Sequence, residues 1–298
     1  MGAILTPAAG RVLVGTCNWA DHEDFYPRGM PPVERLAHYS RFFPLVEVDT
    51  TFYGIPRPSV AARWAQSTPD GFLFNVKAYR SLTMHERVDG KPRPATDEEE
   101  RDFLAVLDPL RDAGKLRAVH YQFPPWFTAN PTNMDYVSRL PDRHPRDQLI
   151  VEMRHSSWGE PARFEALAEL LAETGMSYCA VDQPQLGSAS MPAHMAVTSP
   201  ALAVVRMHGR NRKTWYVKGK TSADRFDYRY DHDELLEWVP RVRAMADRAR
   251  EVHVLFNNNR GNYAVVNGLE MAELLGLDYP SPASSLQAPP PRQEELPI

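Results

Sequence analysis

From Val46 the stretch Val46-Glu47-Val48-Asp49 alternates apolar and acidic residues inside the longer run Leu45–Thr51. Side chains on a strand point alternately to its two faces, so the run reads as a strand with Glu47 and Asp49 on one face and the valines on the other. The pattern recurs. Asn75 and Lys77 flank Val76, His120 and Gln122 alternate with Tyr121 and Phe123, and Glu152 and Arg154 alternate with Val151 and Met153. Arg206, His208 and Arg210 follow the same parity against Val205 and Met207. In each case the polar pair closes an apolar run, which places charge at the C-terminal end of the strand.

Working outward, eight runs have strand character: Arg11–Thr16, Leu45–Thr51, Phe72–Ala78, Ala118–Phe123, Gln148–Arg154, Ser177–Asp182, Ala201–His208 and Glu251–Asn257. Their starts lie 24 to 50 residues apart, enough for a crossover helix between parallel neighbours. Helical periodicity fills Val33–Phe43, Ser59–Gln66, Asp97–Asp112, Thr132–Leu140, Ala162–Glu173, Asp233–Arg250 and Tyr263–Leu275. Pro240 is expected to kink or interrupt the sixth of these. The predicted class is α/β, a (β/α)8 TIM-type barrel whose outer ring is incomplete after the sixth strand. A doubly wound open sheet is the alternative, disfavoured in its nucleotide-binding forms because no glycine-rich phosphate loop follows the first strand. Residues 1–10 read as an extension, 11–279 as one domain and 280–298, with six prolines, as a disordered tail.

The 298 residues are 43% apolar and carry a net charge of −4, which excludes the overall basic field of a non-specific nucleic-acid binder. No stretch approaches the length of a membrane helix and no secretory leader is evident, so a cytoplasmic protein without membrane contact is expected. Cys17 and Cys179 have neither disulfide nor zinc spacing, which fits a reducing compartment.

The blocks Val14-Gly15-Thr16-Cys17-Asn18-Trp19, Val46–Tyr53, Phe74-Asn75-Val76-Lys77-Ala78, Gln122-Phe123-Pro124-Pro125, Val151–Trp158, Val205-Arg206-Met207-His208-Gly209 and Phe256-Asn257-Asn258-Asn259 occur in that order. Together they resemble the domain-of-unknown-function 72 family, also called YecE-like, over roughly residues 11 to 276. The resemblance implies a TIM-type barrel and no particular reaction. The chain departs from the family's usual residues at Asp49, where Asn is usual, and at Trp126.

Active sites of such barrels lie at the C-terminal strand ends. Four acidic residues (Glu47, Asp49, Glu152, Asp182) and four basic ones (Lys77, Arg154, Arg206, Arg210) are expected there. Glu47, Glu152, Lys77 and His208 are the candidates for proton transfer or nucleophilic work. His120, one pleat deeper than Gln122, reads as a core histidine. Asn18, Trp19, Asp49, Tyr53, Gln122, Arg154, Trp158, Asp182, Arg206, Arg210, Asn257, Asn258 and Asn259 are the candidate substrate-binding residues, with Trp126 a further rim aromatic. Glu47, Asp49, Glu152, Asp182, His85 and His208 leave room for a divalent metal, but no compact ligand motif occurs and no cofactor is predicted. The segment Arg206–Tyr230 carries eight basic and two acidic residues and is expected to bind a phosphate or similar anion. The expected function is acid–base chemistry on an anionic substrate, a phosphorylated sugar or phosphodiester. The alternatives are a non-catalytic nucleic-acid-binding protein and a metal-independent sugar isomerase or lyase. The sequence does not set an oligomeric state.

Overall fold

The structure, a computed structural model, describes residues 9–187, 190–215 and 225–280. The described strands are β1 (Arg11–Cys17), β2 (Leu45–Val48), β3 (Leu73–Lys77), β4 (Arg87–Val88), β5 (Lys91–Pro92), β6 (Leu116–Gln122), β7 (Leu149–Glu152), β8 (Ser177–Asp182), β9 (Ala203–Met207) and β10 (Glu251–Phe256). Apart from the antiparallel hairpin β4–β5, they pair in parallel in the order β1-β2-β3-β6-β7-β8-β9-β10. Pairing of β10 with β1, from Arg11 with Glu251 to Thr16 with Phe256, closes the barrel and rules out an open sheet. All eight runs read from the sequence are barrel strands.

Several ends differ from expectation. The second run stops being a strand at Val48, and Thr50–Tyr53 forms a helical turn. Thr51 holds that turn by donating its hydroxyl to the carbonyls of Val48 and Lys77. Similarly, β7 ends at Glu152 and β9 at Met207, each before the residues expected to continue it.

Helices cover the outer face. Asp97–Asp112 is set by a capping box between Thr96 and Glu99, which satisfies otherwise orphaned N–H groups. Its Phe103, Val106, Leu107 and Leu110 are buried at helical spacing. The long helix expected over Asp233–Arg250 is two, His232–Leu236 and Val239–Ala246. Pro240 lies in the first turn of the second, where its missing N–H breaks no helical bond. The expected Val33–Phe43 helix is a 3-10 turn, Pro32–Glu34, followed by Arg35–Tyr39. Between β8 and β9 the described residues form no α-helix, as the sequence suggested. Among the described residues no helix is long and apolar enough to cross a membrane. The extension's first eight residues, Tyr216–Asp224 of the basic segment and the tail beyond Pro280 lie outside the described residues.

Register sorts the barrel's two faces. Laterally paired residues of parallel strands share a face, so the pairings Cys17 with Glu47, Glu47 with Asn75, Lys77 with His120, Gln122 with Glu152 and Arg206 with Leu255 build one interior row. Val46, Val48, Val76, Tyr121, Val151, Val205 and Met207 take the other face and are buried. The interior is polar well below the mouth: the side chains of Asn75 and His253 meet at 3.0 Å, and His253 also contacts Glu251 at 2.8 Å. Arg117, at a register shift between β3 and β6, donates to Glu251 at 2.6 Å and closes the floor.

Candidate active site

Arg206, on β9, is wholly buried at the centre of the barrel. Its Nη2 donates to Oε1 of Glu47 at 2.5 Å and its Nη1 to Oε2 of Glu152 at 2.8 Å. Nη2 also lies 3.3 Å from the Cys17 sulfur. His120 bridges the same two carboxylates, with Nδ1 2.7 Å from Glu47 and Nε2 3.3 Å from Glu152. Burial by itself would raise the Glu47 carboxyl, but Arg206 and then His120 hold it well below the usual range. Glu152 behaves alike, with Arg154 and Arg206 overcoming burial. Burial disfavours the His120 cation, yet Glu47 and Glu152 raise its pKa above the ordinary value. Such groups tolerate a dry interior because each charge has an opposite neighbour. The sequence reading of His120 as a core residue missed this bridge, because its partners come from two other strands.

Nearer the mouth, Arg154 lies with Nε 2.6 Å from Glu152 and donates to Gln183 at 2.9 Å and to Gln122 at 3.3 Å. Its Nη2 lies 3.1 Å from Nε2 of His208. Nδ1 of His208 lies 2.9 Å from Nδ2 of Asn257, and its Nε2 is also 3.5 Å from Oε1 of Glu152. Burial and then Arg154 push the His208 pKa down to about 3, which fixes it as a neutral hydrogen-bonding group. Trp215 and Phe226 close over it, with ring centroids 6.2 and 5.8 Å from His208.

Asp49 follows β2, its side chain 19% exposed and 3.8 Å from Arg206. Burial raises its carboxyl to about 6 against the pull of Lys77, with Glu47 adding to the rise. Lys77, at the end of β3, is 8% exposed, with its ammonium 4.5 Å from the Phe52 ring centroid. Among the described residues that ammonium makes no hydrogen bond or ion pair. His85 packs on the same Phe52 ring at 4.8 Å and on Trp126 at 5.8 Å. Burial, then Lys77 and Arg154, lower its pKa to about 3. Tyr53 and Trp126 are exposed on this rim.

Two expected members of the cluster are elsewhere. Asp182 pairs in register with Met207, so it faces the helical layer, where it accepts from Trp238 Nε1 at 2.7 Å and from Arg210 at 2.7 Å. The interior positions of β8 are Cys179 and Val181, and Gln183 beyond it is the residue that reaches Arg154. Arg210 leaves the parity of Arg206 because β9 ends at Met207 and Gly209 has φ +88. A Cβ there would sit 2.5 Å from Cβ of Tyr228. Arg210 accordingly pairs with Asp182, Glu234 and Glu237 outside the barrel.

Other expected binding residues are structural in their contacts. Trp158 is fully buried and donates to the Phe127 carbonyl at 2.7 Å. Trp19 packs edge-on against Trp64 at 5.7 Å. Asn18, at φ 67, accepts from the Trp19 and Ala20 amides and donates to Asp21, which also receives Asn259. Asn258 donates to the Tyr228 carbonyl and to Asn267. Of the three consecutive asparagines, Asn257 is the one in contact with His208.

Two groups, His120–Glu152–Cys179 and Cys17–Glu47–Asp49, each bring donor atoms within 4.8 Å of one another and could hold a metal ion. Arg206 already places a cation against Cys17, Glu47 and Glu152. Burial also pushes both thiols well above their ordinary pKa, against the thiolate form that binds metal.

The family model described as protein of unknown function DUF72 matches residues 13–294. The chain is 34% identical over 271 residues to the UPF0759 protein YunF of Bacillus subtilis (strain 168), covering 90% of this chain and 96% of that protein. It is 27% identical over 146 residues to the UPF0759 protein YecE of Escherichia coli (strain K12), 48% of each chain. A crystal structure of a DUF72 family protein from Enterococcus faecalis V583 matches with a TM-score of 0.80 and 29% identity, over 90% of this chain and 97% of that one. One from Thermotoga maritima MSB8 matches with a TM-score of 0.77 and 29% identity, over 89% and 99%. Sequence, barrel and family model agree: the chain belongs to the DUF72 (UPF0759) family.

Proposed function

We propose that the barrel mouth is the active site of an enzyme that binds an anionic organic substrate on Lys77 and moves a proton through Asp49. The observation that carries this reading is Lys77, 8% exposed at the barrel mouth, whose ammonium has the Phe52 ring at 4.5 Å and makes no hydrogen bond or ion pair among the described residues. Asp49 feels the Lys77 charge without pairing directly with it, and an anionic ligand would give the ammonium a direct partner. Asp49, whose pKa of about 6 lies close to neutrality, is suited to exchange a proton there. Glu47 and Glu152, expected from the sequence as the proton carriers, are held ionised by Arg206 and shielded from solvent. In this reading they fix Arg206 and Arg154 and shape the potential below the substrate. The phosphate-binding role expected of Arg206 and Arg210 is not favoured, because both guanidinium groups already serve carboxylates.

Isothermal titration with propanoate, glycerate, inorganic phosphate, glycerol 3-phosphate and a short oligonucleotide tests the proposal on wild type and Lys77→Met. The reading predicts at least one small anion whose affinity falls about tenfold or more in the variant, the worth of one charged hydrogen bond. Equal small-anion affinities in the two proteins would overturn it. Oligonucleotide binding that falls steeply with salt and ignores the Lys77 substitution would favour the nucleic-acid reading.

A further inference from the structure

At the end of the barrel opposite the mouth lies a cavity of about 480 Å³. Its lining includes Arg111 and Asp112 from the end of the helix Asp97–Asp112, Arg117 near the start of β6, and Arg146 and Asp147 just before β7. Both strands begin here, so the cavity opens on the N-terminal face, away from the strand ends that carry Asp49 and Lys77. Sites for small organic molecules commonly occupy about 300–1,000 Å³.

The charges in this lining are unequally spent. Arg111 donates from Nε and Nη2 to Asp147 at 2.8 and 2.6 Å and from Nη1 to Asp108 at 2.6 Å, so its fork is full. Asp147 is taken up as well, with Nδ1 of His144 at 3.0 Å on its other side. Arg117 differs. Leu116 pairs with Phe74 and Ala118 with Asn75, which makes Arg117 the extra residue of a bulge, an irregularity that re-aims a side chain. Its Nε donates to Glu251 at 2.6 Å and its Nη2 to the Ala201 carbonyl at 2.8 Å, while Nη1 makes no hydrogen bond among the described residues. The Arg146 side chain is 72% exposed, and its guanidinium lies 3.6 Å from Asp108, beyond hydrogen-bond length.

A guanidinium held at two nitrogens presents its third without further loss of freedom, and an exposed Arg on the same cavity can swing onto the same acceptor. Oxyanions are the ligands whose paired oxygens match such donors. With Asp147 held by Arg111, Asp112 is the carboxylate left in the lining to oppose them. We infer that the cavity is a second anion site, for a small organic oxyanion whose acid group accepts from Nη1 of Arg117 and from Arg146. Phosphate esters and dicarboxylates share that chemistry, and the volume leaves room for the carbon skeleton behind the acid group. Arg117 is also tied through Glu251 to His253 at the barrel floor, and a ligand that binds only the folded chain raises its stability.

Glycerol 2-phosphate and succinate probe the site by isothermal titration and thermal unfolding at low ionic strength, on wild type, Arg146→Gln, Arg117→Lys and Lys77→Met. At least one is expected to bind wild type and raise its Tm, to lose about fivefold or more in affinity in Arg146→Gln, and to stay within about twofold in Lys77→Met. Tighter binding of glycerol 2-phosphate assigns a phosphate ester, and tighter binding of succinate a dicarboxylate. Arg117→Lys keeps a charge beside Glu251, removes the fork and is expected to show the same loss. Unchanged affinity in Arg146→Gln, an exposed position, would overturn the inference whether or not Arg117→Lys folds. Binding of neither probe would overturn it too. Affinity lost in Lys77→Met and kept in Arg146→Gln would place the anion at the mouth, which removes this site and leaves the reading of the mouth standing.

Discussion

Nη1 of Arg206 donates to Oε2 of Glu152 at 2.8 Å across a barrel interior that water does not reach. The same guanidinium holds Glu47, so its removal strands two buried carboxylates. Breaking a buried ion network from one side costs about 3–5 kcal/mol. Arg206→Met should lower the unfolding free energy by that order in urea denaturation. Glu47 and Glu152 have folded pKa values below their unfolded ones, so their stabilisation is present above about pH 4.3 and lost as pH falls through the folded values. Wild type should therefore lose stability on acidification, and Glu152→Gln should show less of that loss while being less stable at pH 7.

Asp49 gives the opposite sign. Its folded pKa of about 6 lies above the ordinary 3.8, so stability falls as pH rises from about 4 to about 6 and stays reduced above that. Asp49→Asn removes the penalty, and Asn keeps an amide donor for Glu47. The variant should be more stable than wild type at pH 7.5, by on the order of 2 kcal/mol, with the difference vanishing near pH 4. Denaturation curves at the two pH values check this, and a variant less stable at pH 7.5 would contradict it.

Asp182 lies outside the barrel interior, where Trp238 and Arg210 use it. Asp182→Ala should cost about 1–3 kcal/mol by leaving the buried Trp238 N–H without an acceptor. Titration of the folded variant with a small anion that binds wild type through Lys77 should give an affinity within about twofold of wild type. A tenfold loss would return Asp182 to the site.

The barrel was legible because Glu47, Lys77, Glu152 and Arg206 each sit at the end of an apolar run with unbroken alternation. Parity failed at two kinds of position. At Asp182 charge suggested an inward face, yet no polar residue two positions earlier supported it, and register with Met207 turns it outward. At Arg210 alternation was carried through Gly209, whose positive φ ends the strand geometry. Neither the His120 bridge nor the shared Phe52 ring was readable, since both depend on how distant strands are staggered around the barrel. The sequence proposed His85 only as a metal donor, and nothing local marks its packing against Phe52 and Trp126.

An anion bound beside Asp49 favours its protonated form. Titration at pH 7 of a small anion that binds through Lys77, in buffers of different ionisation enthalpy, should show net proton uptake by wild type. Asp49→Asn should take up measurably less, and identical uptake in both would place the proton elsewhere.

A crystal structure with a bound small anion that binds wild type and not Lys77→Met decides whether the mouth is an anion site, because it locates the anion. The expected result is a ligand anionic oxygen within about 3.2 Å of Lys77 Nζ. Ligand held by Arg210 outside the barrel, or ordered at the mouth without contact to Lys77, would contradict it.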